Sequence, residues 1–412
     1  MEKSFRFVLA LLVLAFLPML FLPAGVGAAP NDLATIQKGI KDKGAHWVAG
    51  ETSISKLSPE AKKRRVALLK APLSDDDHQA AAAEQSFLTT LTVPARFDWR
   101  AASGAYAGNY VTPIRDQGDC GSCWAFATAG ALESQVLLGE NSPGMDVNLS
   151  EQTLVSCSTA GNCSGGYVNT ASDFVRDIGL PLESCFPYTA TNSTCASACA
   201  NWSTADYRSA GWHWVATTAP TVESLKSAIT TYGPVVTTME VYSDFYSYVS
   251  GVYSYVSGTY QGGHAVVIVG YDDPGQYFIV KNSWGTGWGM SGYFLIAYSQ
   301  LTSVVNFGQY TIADEGYSPV GPPPACTFAL SPTSKTFRST GGSGTVTVSS
   351  QDNCSWTAVS NVSWVTIKAG NTGSGNGSVN YSVAANPYRT QRTGTLTIAG
   401  QTFTVIQNRV GK

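Results

Sequence analysis

Thiol-based nucleophilic catalysis needs a cysteine whose sulfur can carry charge, a histidine to move its proton, and donors for an oxyanion. The densest stretch of this chain, Gln117-Gly118-Asp119-Cys120-Gly121-Ser122-Cys123-Trp124-Ala125-Phe126, supplies the first and last of these. Ser122 is placed to cap a helix whose Ala125, Ala129, Leu132 and Val136 share one face and which stops at Gly139. Cys123 then opens that helix. The unpaired N–H groups and the macrodipole there favour a negative sulfur, which predicts a lowered thiol pKa. His264 follows Gly262-Gly263 and opens an apolar strand. Asn282, 18 residues later, is positioned to orient the imidazole, and Trp284 to shield that bond from water. Gln117 offers an amide to an oxyanion beside the backbone N–H of Cys123. A Cys-x-x-Cys redox pair is the competing reading, but no βαβ context surrounds it. No His-Glu-x-x-His, Gly-x-Ser-x-Gly or phosphate loop competes either. His213, between Trp212 and Trp214, reads as structural or a rim residue.

The elements that must hold these residues come in two halves. Helices are expected first, including Tyr167–Ile178, ended by Gly179, and Thr221–Tyr232, ended by Gly233-Pro234. Strands follow at Val235–Val241, His264–Tyr271, Gln276–Lys281 and Tyr293–Tyr298. A helical half, a sheet half and a cleft between them make an α+β unit over 93–314. The Tyr-rich run from Tyr242 to Tyr260 reads as lobe packing beside the cleft. Residues 315–325 read as a Pro/Gly linker. Residues 326–412 alternate with period two over about seven short strands, an all-β, immunoglobulin-like sandwich.

Composition narrows the class. Of 412 residues only 13 % are charged, which excludes a coiled coil or a nucleic-acid binder with a basic surface. Net charge is −3 overall, but −10 over 93–314 and +5 over 315–412. Nine Cys point to an oxidising compartment, and four His make a His-rich metal site untenable. Lys3 and Arg6, the apolar run Phe7–Leu22 and Val26-Gly27-Ala28 read as a signal peptide over 1–28, too short and Pro-interrupted for a membrane anchor. No later stretch spans a membrane. Residues 29–92 lack Cys and hold nine Lys or Arg. Short helices are expected near Ile36–Ile40 and Pro59–Leu69, and Asp75–Asp77 with Ala80–Ala83 reads as an exposed, cuttable connector.

From Val93 on, about 220 residues resemble the papain-like cysteine peptidases. Beyond the Cys123 stretch, the likeness rests on Phe97-Asp98-Trp99-Arg100, Leu149-Ser150-Glu151-Gln152, Gly165-Gly166-Tyr167, Pro187-Tyr188-Thr189-Ala190 and Asn282-Ser283-Trp284-Gly285-Thr286-Gly287-Trp288-Gly289. The resemblance implies a two-lobed fold, Cys123 as nucleophile, His264 as general acid/base, Asn282 as its orienting partner and Gln117 in the oxyanion hole. It implies no metal or organic cofactor. Gly165 and Gly166 would pair with an extended substrate. Tyr167, Thr238 and Gly262 would wall the pocket for the residue two before the cut, with Gly263 and Trp284 beside it. The room left by Gly262 and Gly263 predicts a large apolar or aromatic side chain there. No insert carrying paired His blocks the cleft, which favours an endopeptidase.

The same resemblance pairs Cys120 with Cys163, and Cys157 with Cys195 or Cys199, the other of which closes on Cys185. Cys326 and Cys354 would pair in the last unit. Gly44-Ala45-His46-Trp47-Val48-Ala49-Gly50 is similar to the short prosegment of cathepsin B-like enzymes. Six basic residues in 54–70 against one Glu should dock this inhibitory pro-region on the acidic middle unit. Residues 326–409 resemble BACON domains through Cys354-Ser355-Trp356, Val362-Ser363-Trp364 and Gly394–Phe403. That implies a carbohydrate or glycoprotein ligand or a spacer, with Trp356 and Trp364 either stacking on sugar or filling the core. The tail and Asn162-Cys163-Ser164, whose Cys is expected in a disulfide, favour a bacterial secreted protein, periplasmic, surface-bound or released. The whole reads as a secreted cysteine endopeptidase acting on proteins or peptides and made as a zymogen. The alternative is a catalytically silent papain-fold binding protein for glycoproteins or carbohydrate.

Overall fold

The computed structural model describes residues 33–200, 202–204, 207–319, 327–350 and 354–411. The expected signal peptide, residues 320–325 of the linker and Cys326 lie outside them. No helix among the described residues is long and apolar enough to cross a membrane.

The basic segment is ordered into α1 (Leu33–Lys43), β1 (His46–Ala49), α2 (Pro59–Arg64) and α3 (Asp75–Leu88). Ser58 caps α2 by accepting from the Ala61 N–H, with Pro59 in the first turn. The helix expected to reach Leu69 stops at Arg64. Beyond it the backbone of Leu68 bridges to Gly166 and Gly263, so tertiary hydrogen bonds override local propensity. The expected connector is instead a 14-residue helix, α3. Ser74 and Asp77 form a reciprocal capping box, the three Asp stand at the favourable end of the macrodipole, and the alanines are strong helix formers. Its Ala81 and Leu88 are buried.

After β2 (Arg96–Asp98) come α4 (Cys123–Gly139) and α5 (Glu151–Cys157), the strand pair β3 (Gly161–Asn162) and β4 (Gly165–Gly166), and α6 (Val168–Asp177). β5 (Tyr207–Ser209), β6 (Trp212–Ala216) and α7 (Val222–Tyr232) lead into β7 (Val235–Tyr242), β8 (Tyr248–Tyr253), β9 (Tyr260–Asp272), β10 (Tyr277–Lys281), β11 (Tyr293–Ala297), β12 (Gln309–Asp314) and β13 (Tyr317–Pro319). The main sheet runs β1-β8-β11-β10-β9-β7-β12-β6, with β2 on β9. The pro-region thus contributes an edge strand to the sheet lobe. α4 is buried all round from Cys123 to Leu137, rather than along one face. Ser122 makes no side-chain cap; its hydroxyl meets the Tyr188 hydroxyl at 2.6 Å. β13 pairs with β5, so the stretch assigned to the linker begins as a strand of this unit. Cys120–Cys163, Cys157–Cys195 and Cys185–Cys199 are bridged, and Cys123 is free. Cys354 is also disulfide-bonded.

The last unit holds β14 (Phe328–Ser331), β15 (Ser334–Phe337), β16 (Gly342–Ser350), β17 (Ser355–Ser360), β18 (Val365–Ala369), β19 (Thr372–Ser374), β20 (Gly377–Val383), β21 (Arg392–Ile398) and β22 (Gln401–Gln407). They form two sheets, β14-β16-β20-β18 and β15-β22-β21-β17-β19. Val346, Val379 and Tyr381 of one meet Leu396, Phe403 and Val405 of the other in a shared core. Trp356 is buried in that core and donates Nε1–H to the Gly375 carbonyl at 2.9 Å. The Arg392 guanidinium lies 4.2 Å over the Trp364 ring. Trp356 thus fills the core, whereas Trp364 is half-buried with one face under Arg392.

β1 is anchored by Trp47, which is buried between Tyr248 and Tyr253 and donates Nε1–H to the Ser254 carbonyl at 3.0 Å. Trp47→Ala should weaken the pro-region's hold by about 3–5 kcal/mol. The expected result is faster tryptic nicking within residues 33–92 and a lower first unfolding transition, read by limited proteolysis and calorimetry.

Candidate active site

Cys123 is the first residue of α4, and its thiol is hydrogen-bonded by the backbone at Ala265, the β9 residue next to His264. His264 Nε2 and Asn282 Oδ1 are 2.8 Å apart. The Ser283 backbone N–H donates to that same Oδ1 at 2.8 Å, which fixes it as the acceptor end of the amide. The imidazole therefore carries its proton on Nε2 and presents Nδ1 as an acceptor. Nδ1 is buried with no hydrogen bond of its own. Trp284, fully buried, lies tilted over the imidazole at 4.7 Å between ring centres and so shields the His264–Asn282 bond.

Gln117 is buried too. Its Nε2 donates to the Cys120 carbonyl at 2.9 Å and to the Arg65 carbonyl of the pro-region at 3.3 Å. Ser283 Oγ donates to Gln117 Oε1 at 2.7 Å, and Tyr188 donates its hydroxyl to the Gln117 carbonyl at 2.7 Å. Both orienting groups sit in motifs quoted above, but their partners are distant in sequence. Nothing in spacing alone assigns them this task.

The pro-region closes the cleft. Leu68 donates its N–H to the Gly263 carbonyl at 3.0 Å, and Leu69 donates to the Gly166 carbonyl at 2.9 Å. A side chain at Gly165, whose φ is +132°, would meet the Ala67 carbonyl, and one at Gly166 would meet the Trp124 ring at 2.4 Å. Gly165 thus lets an extended backbone lie this close, and Gly166 lets its strand pack on the Trp124 ring. Gly262 lies against Val66. Tyr167 ends the same edge as the N-cap residue of α6. Thr238 is buried on β7 and donates its hydroxyl to the Gln309 carbonyl at 2.7 Å. Charge adds to the seal. Arg64 grips Asp119 through two bonds at 2.6 and 2.8 Å, Arg65 pairs with Asp116, and Lys70 Nζ stands 2.5 Å from Glu240 Oε1. His213 lies away from Cys123, its Nδ1 2.9 Å from Glu315 Oε1.

Burial reverses the expected electrostatics. Desolvation under the pro-region pushes the Cys123 thiol up, although backbone hydrogen bonds at Ala265, Ala67, Trp124 and Cys123 itself pull the other way. His264 is lowered from 6.5 to about 4, first by burial and then by the charge of Arg65, against the Asn282 bond. The covered pair is therefore a neutral thiol and a neutral imidazole. The helix N-terminus alone does not make a thiolate while water is excluded.

The family model described as papain family cysteine protease matches residues 93–320, and one described as viral BACON domain matches 327–408. A cathepsin L-like proteinase of Fasciola hepatica is 39 % identical over 211 residues, 50 % of this chain and 60 % of that protein. The chain thus spans about three-fifths of the length of such cathepsin L-like relatives. Cathepsin B-like CP3 of Giardia intestinalis is 32 % identical over 291 residues, 68 % of this chain and 93 % of its own. Among solved structures, procathepsin L2 from the larval midgut of Tenebrio molitor superposes with a TM-score of 0.52 at 30 % identity, over 68 % of this chain and 87 % of that one. Procathepsin B S9 of Trypanosoma congolense gives 0.56 at 23 % identity over 71 % and 100 %, a likeness of fold. With its free buried cysteine, oriented histidine and covered cleft, the chain belongs to the papain family of cysteine proteases.

Proposed function

We propose that the chain is the zymogen of a secreted cysteine endopeptidase. The observation that carries this reading is the free Cys123 at the start of α4, bonded by the backbone next to an Asn282-oriented His264 and covered by a segment of its own chain. Once uncovered, the thiol regains water and the α4 dipole, and His264 loses its burial and the Arg65 charge. His264 Nδ1 takes the thiol proton. The Cys123 sulfur attacks the scissile carbonyl, and the oxyanion accepts from Gln117 Nε2 and the Cys123 N–H. The imidazolium gives its proton to the leaving amine. Water, activated by the neutral imidazole, then releases the acyl group and restores the thiol. Gly166 and Gly263 would bond the substrate backbone as they now bond Leu69 and Leu68. A protein or peptide strand is the substrate class that such an edge suits.

Acid favours uncovering. The docked state holds His264 at about 4 against 6.5 when free, so it binds fewer protons and weakens as pH falls through that window. Asp119 is lowered chiefly by its bond to Arg64. The stability from that pair is present above the ordinary carboxylate pKa of ~3.9 and is lost as pH falls through the lower docked value. A protease needs an extended, accessible backbone, and α3 denies it one. Processing therefore belongs to the exposed stretch 89–95 rather than to Ala80–Ala83.

Two measurements test this. An epoxide thiol inhibitor, followed by peptide mass mapping, should label Cys123 after acid treatment, with loss of casein hydrolysis, and Cys123→Ala should show neither. A folded, uncovered protein that takes no label and cuts nothing would be the silent binding protein. In the second, wild type should process faster as pH drops from about 6.5 to about 4, with new N-termini between Thr89 and Ala95. Equal processing of Cys123→Ala would exclude self-cleavage.

A further inference from the structure

Glu240 lies on β7, two residues beyond Thr238 and on the same face, opposite Gly263 of β9. That face carries the pocket wall assigned to substrate selection, and Gly263 is the residue whose carbonyl holds Leu68. The Glu240 side chain is only 10 % exposed, and its Oε2 is buried with no hydrogen-bond partner. Among the described residues its one salt bridge is to Lys70. Lys70 is half exposed and gains a raised pKa, first from this hydrogen bond. The pairing is thus built into the mature unit and merely completed by the pro-region. With the Lys70 segment gone, Glu240 keeps the Tyr260 hydroxyl as a neighbour but loses its counter-charge, which leaves an acidic group facing the cleft for a substrate cation.

We propose that Glu240 is the specificity residue of the unprimed cleft and selects a substrate Lys or Arg two or three residues before the cut, in the place Lys70 now holds. This rests on the endopeptidase reading and replaces the apolar preference that Gly262 and Gly263 alone suggest. The two views meet in the chemistry of these side chains. The aliphatic stem of Lys or Arg lies along the open glycine floor, and the charged head reaches Glu240. Arg suits the site better, since its fork offers donors to both Glu240 oxygens, including the unpartnered one.

The test is a fluorogenic peptide library on the processed full-length protein, varied at the second and third positions before the cut. Enzyme concentration is set by epoxide titration of Cys123. Wild type should favour Arg and Lys over Leu or Phe at one of these positions, and Glu240→Gln should lower the Arg-to-Leu ratio of kcat/KM about tenfold or more. The preference should also shrink as salt rises. Hydrolysis with an apolar preference at both positions, or an unchanged ratio in Glu240→Gln at equal titrated enzyme, would overturn the assignment. Absence of both titration and hydrolysis would instead overturn the endopeptidase reading.

Discussion

Water exclusion at one spot governs this molecule. A thiolate and an imidazolium are favourable only where solvent or aligned dipoles reach them, and the segment from Arg64 to Lys70 removes the solvent. The pro-region needs no group that reacts with Cys123. It places a backbone over the sulfur, sends its carbonyl at Arg65 to the Gln117 amide, and sets a cation where an imidazolium would form. Each of these contacts opposes a charge that the reaction requires. Inhibition and catalysis use the same donors and differ in whether charge is allowed to develop.

A second constraint keeps the two halves in register. Cys123 comes from the helical half, His264 and Asn282 from the sheet half. The buried link between them is Glu133 of α4, which accepts from the Leu149 N–H at 3.0 Å and from Thr112. Lys281 of β10 donates to Thr112 at 2.7 Å and lies 3.8 Å from Glu133. Burial raises Glu133 and lowers Lys281, each against the pull of the other. Lys281 is the residue before Asn282, so this ion pair fixes the end of β10 against α4. The imidazole's hydrogen-bonding partner is thereby tied to the helix that carries Cys123. A buried pair of this kind adds little net stability but penalises any other arrangement of the lobes.

Much of this was legible in the sequence because local signals and long-range need agree. The helix ends at Gly179 and Gly233 both fall at positive φ, where glycine is at ease. Period-two alternation marked the strands of the last unit. The misreadings share one cause. Residues 66–69 look helical and α3 looks like a connector when their own composition is weighed. What decides them is a partner far along the chain: Gly263 and Gly166 for the first, Trp214 and Tyr232 for the second. Trp214 donates to Asp77 at 3.1 Å and Tyr232 to Glu84 at 2.8 Å. The thiol's electrostatics failed for the same reason. The helix terminus is written locally, whereas the burial that overrides it is supplied by residues some 55 positions earlier. Glu240 carried no signal at all, since one acid in an apolar strand has meaning only beside Lys70.

The pro-region holds on at three separate places: β1 on β8, Arg64 to Lys70 in the cleft, and α3 on β6 and α7. Apart from the buried Trp47 of β1, no single contact is strong. Exposed ion pairs such as Arg64–Asp119 contribute little by themselves, and Leu68 and Leu69 supply only two backbone bonds. Their joint strength comes from the tether. While residues 89–95 are intact, a released cleft segment stays at roughly millimolar effective concentration and rebinds. Acid shifts that balance but does not end it. A cut in the tether turns rebinding into a bimolecular event, and the same weak contacts then let the segment go on dilution. Weak, distributed docking is therefore what makes a covalent cut act as a switch, since a tight single-site inhibitor would remain bound after its own cleavage.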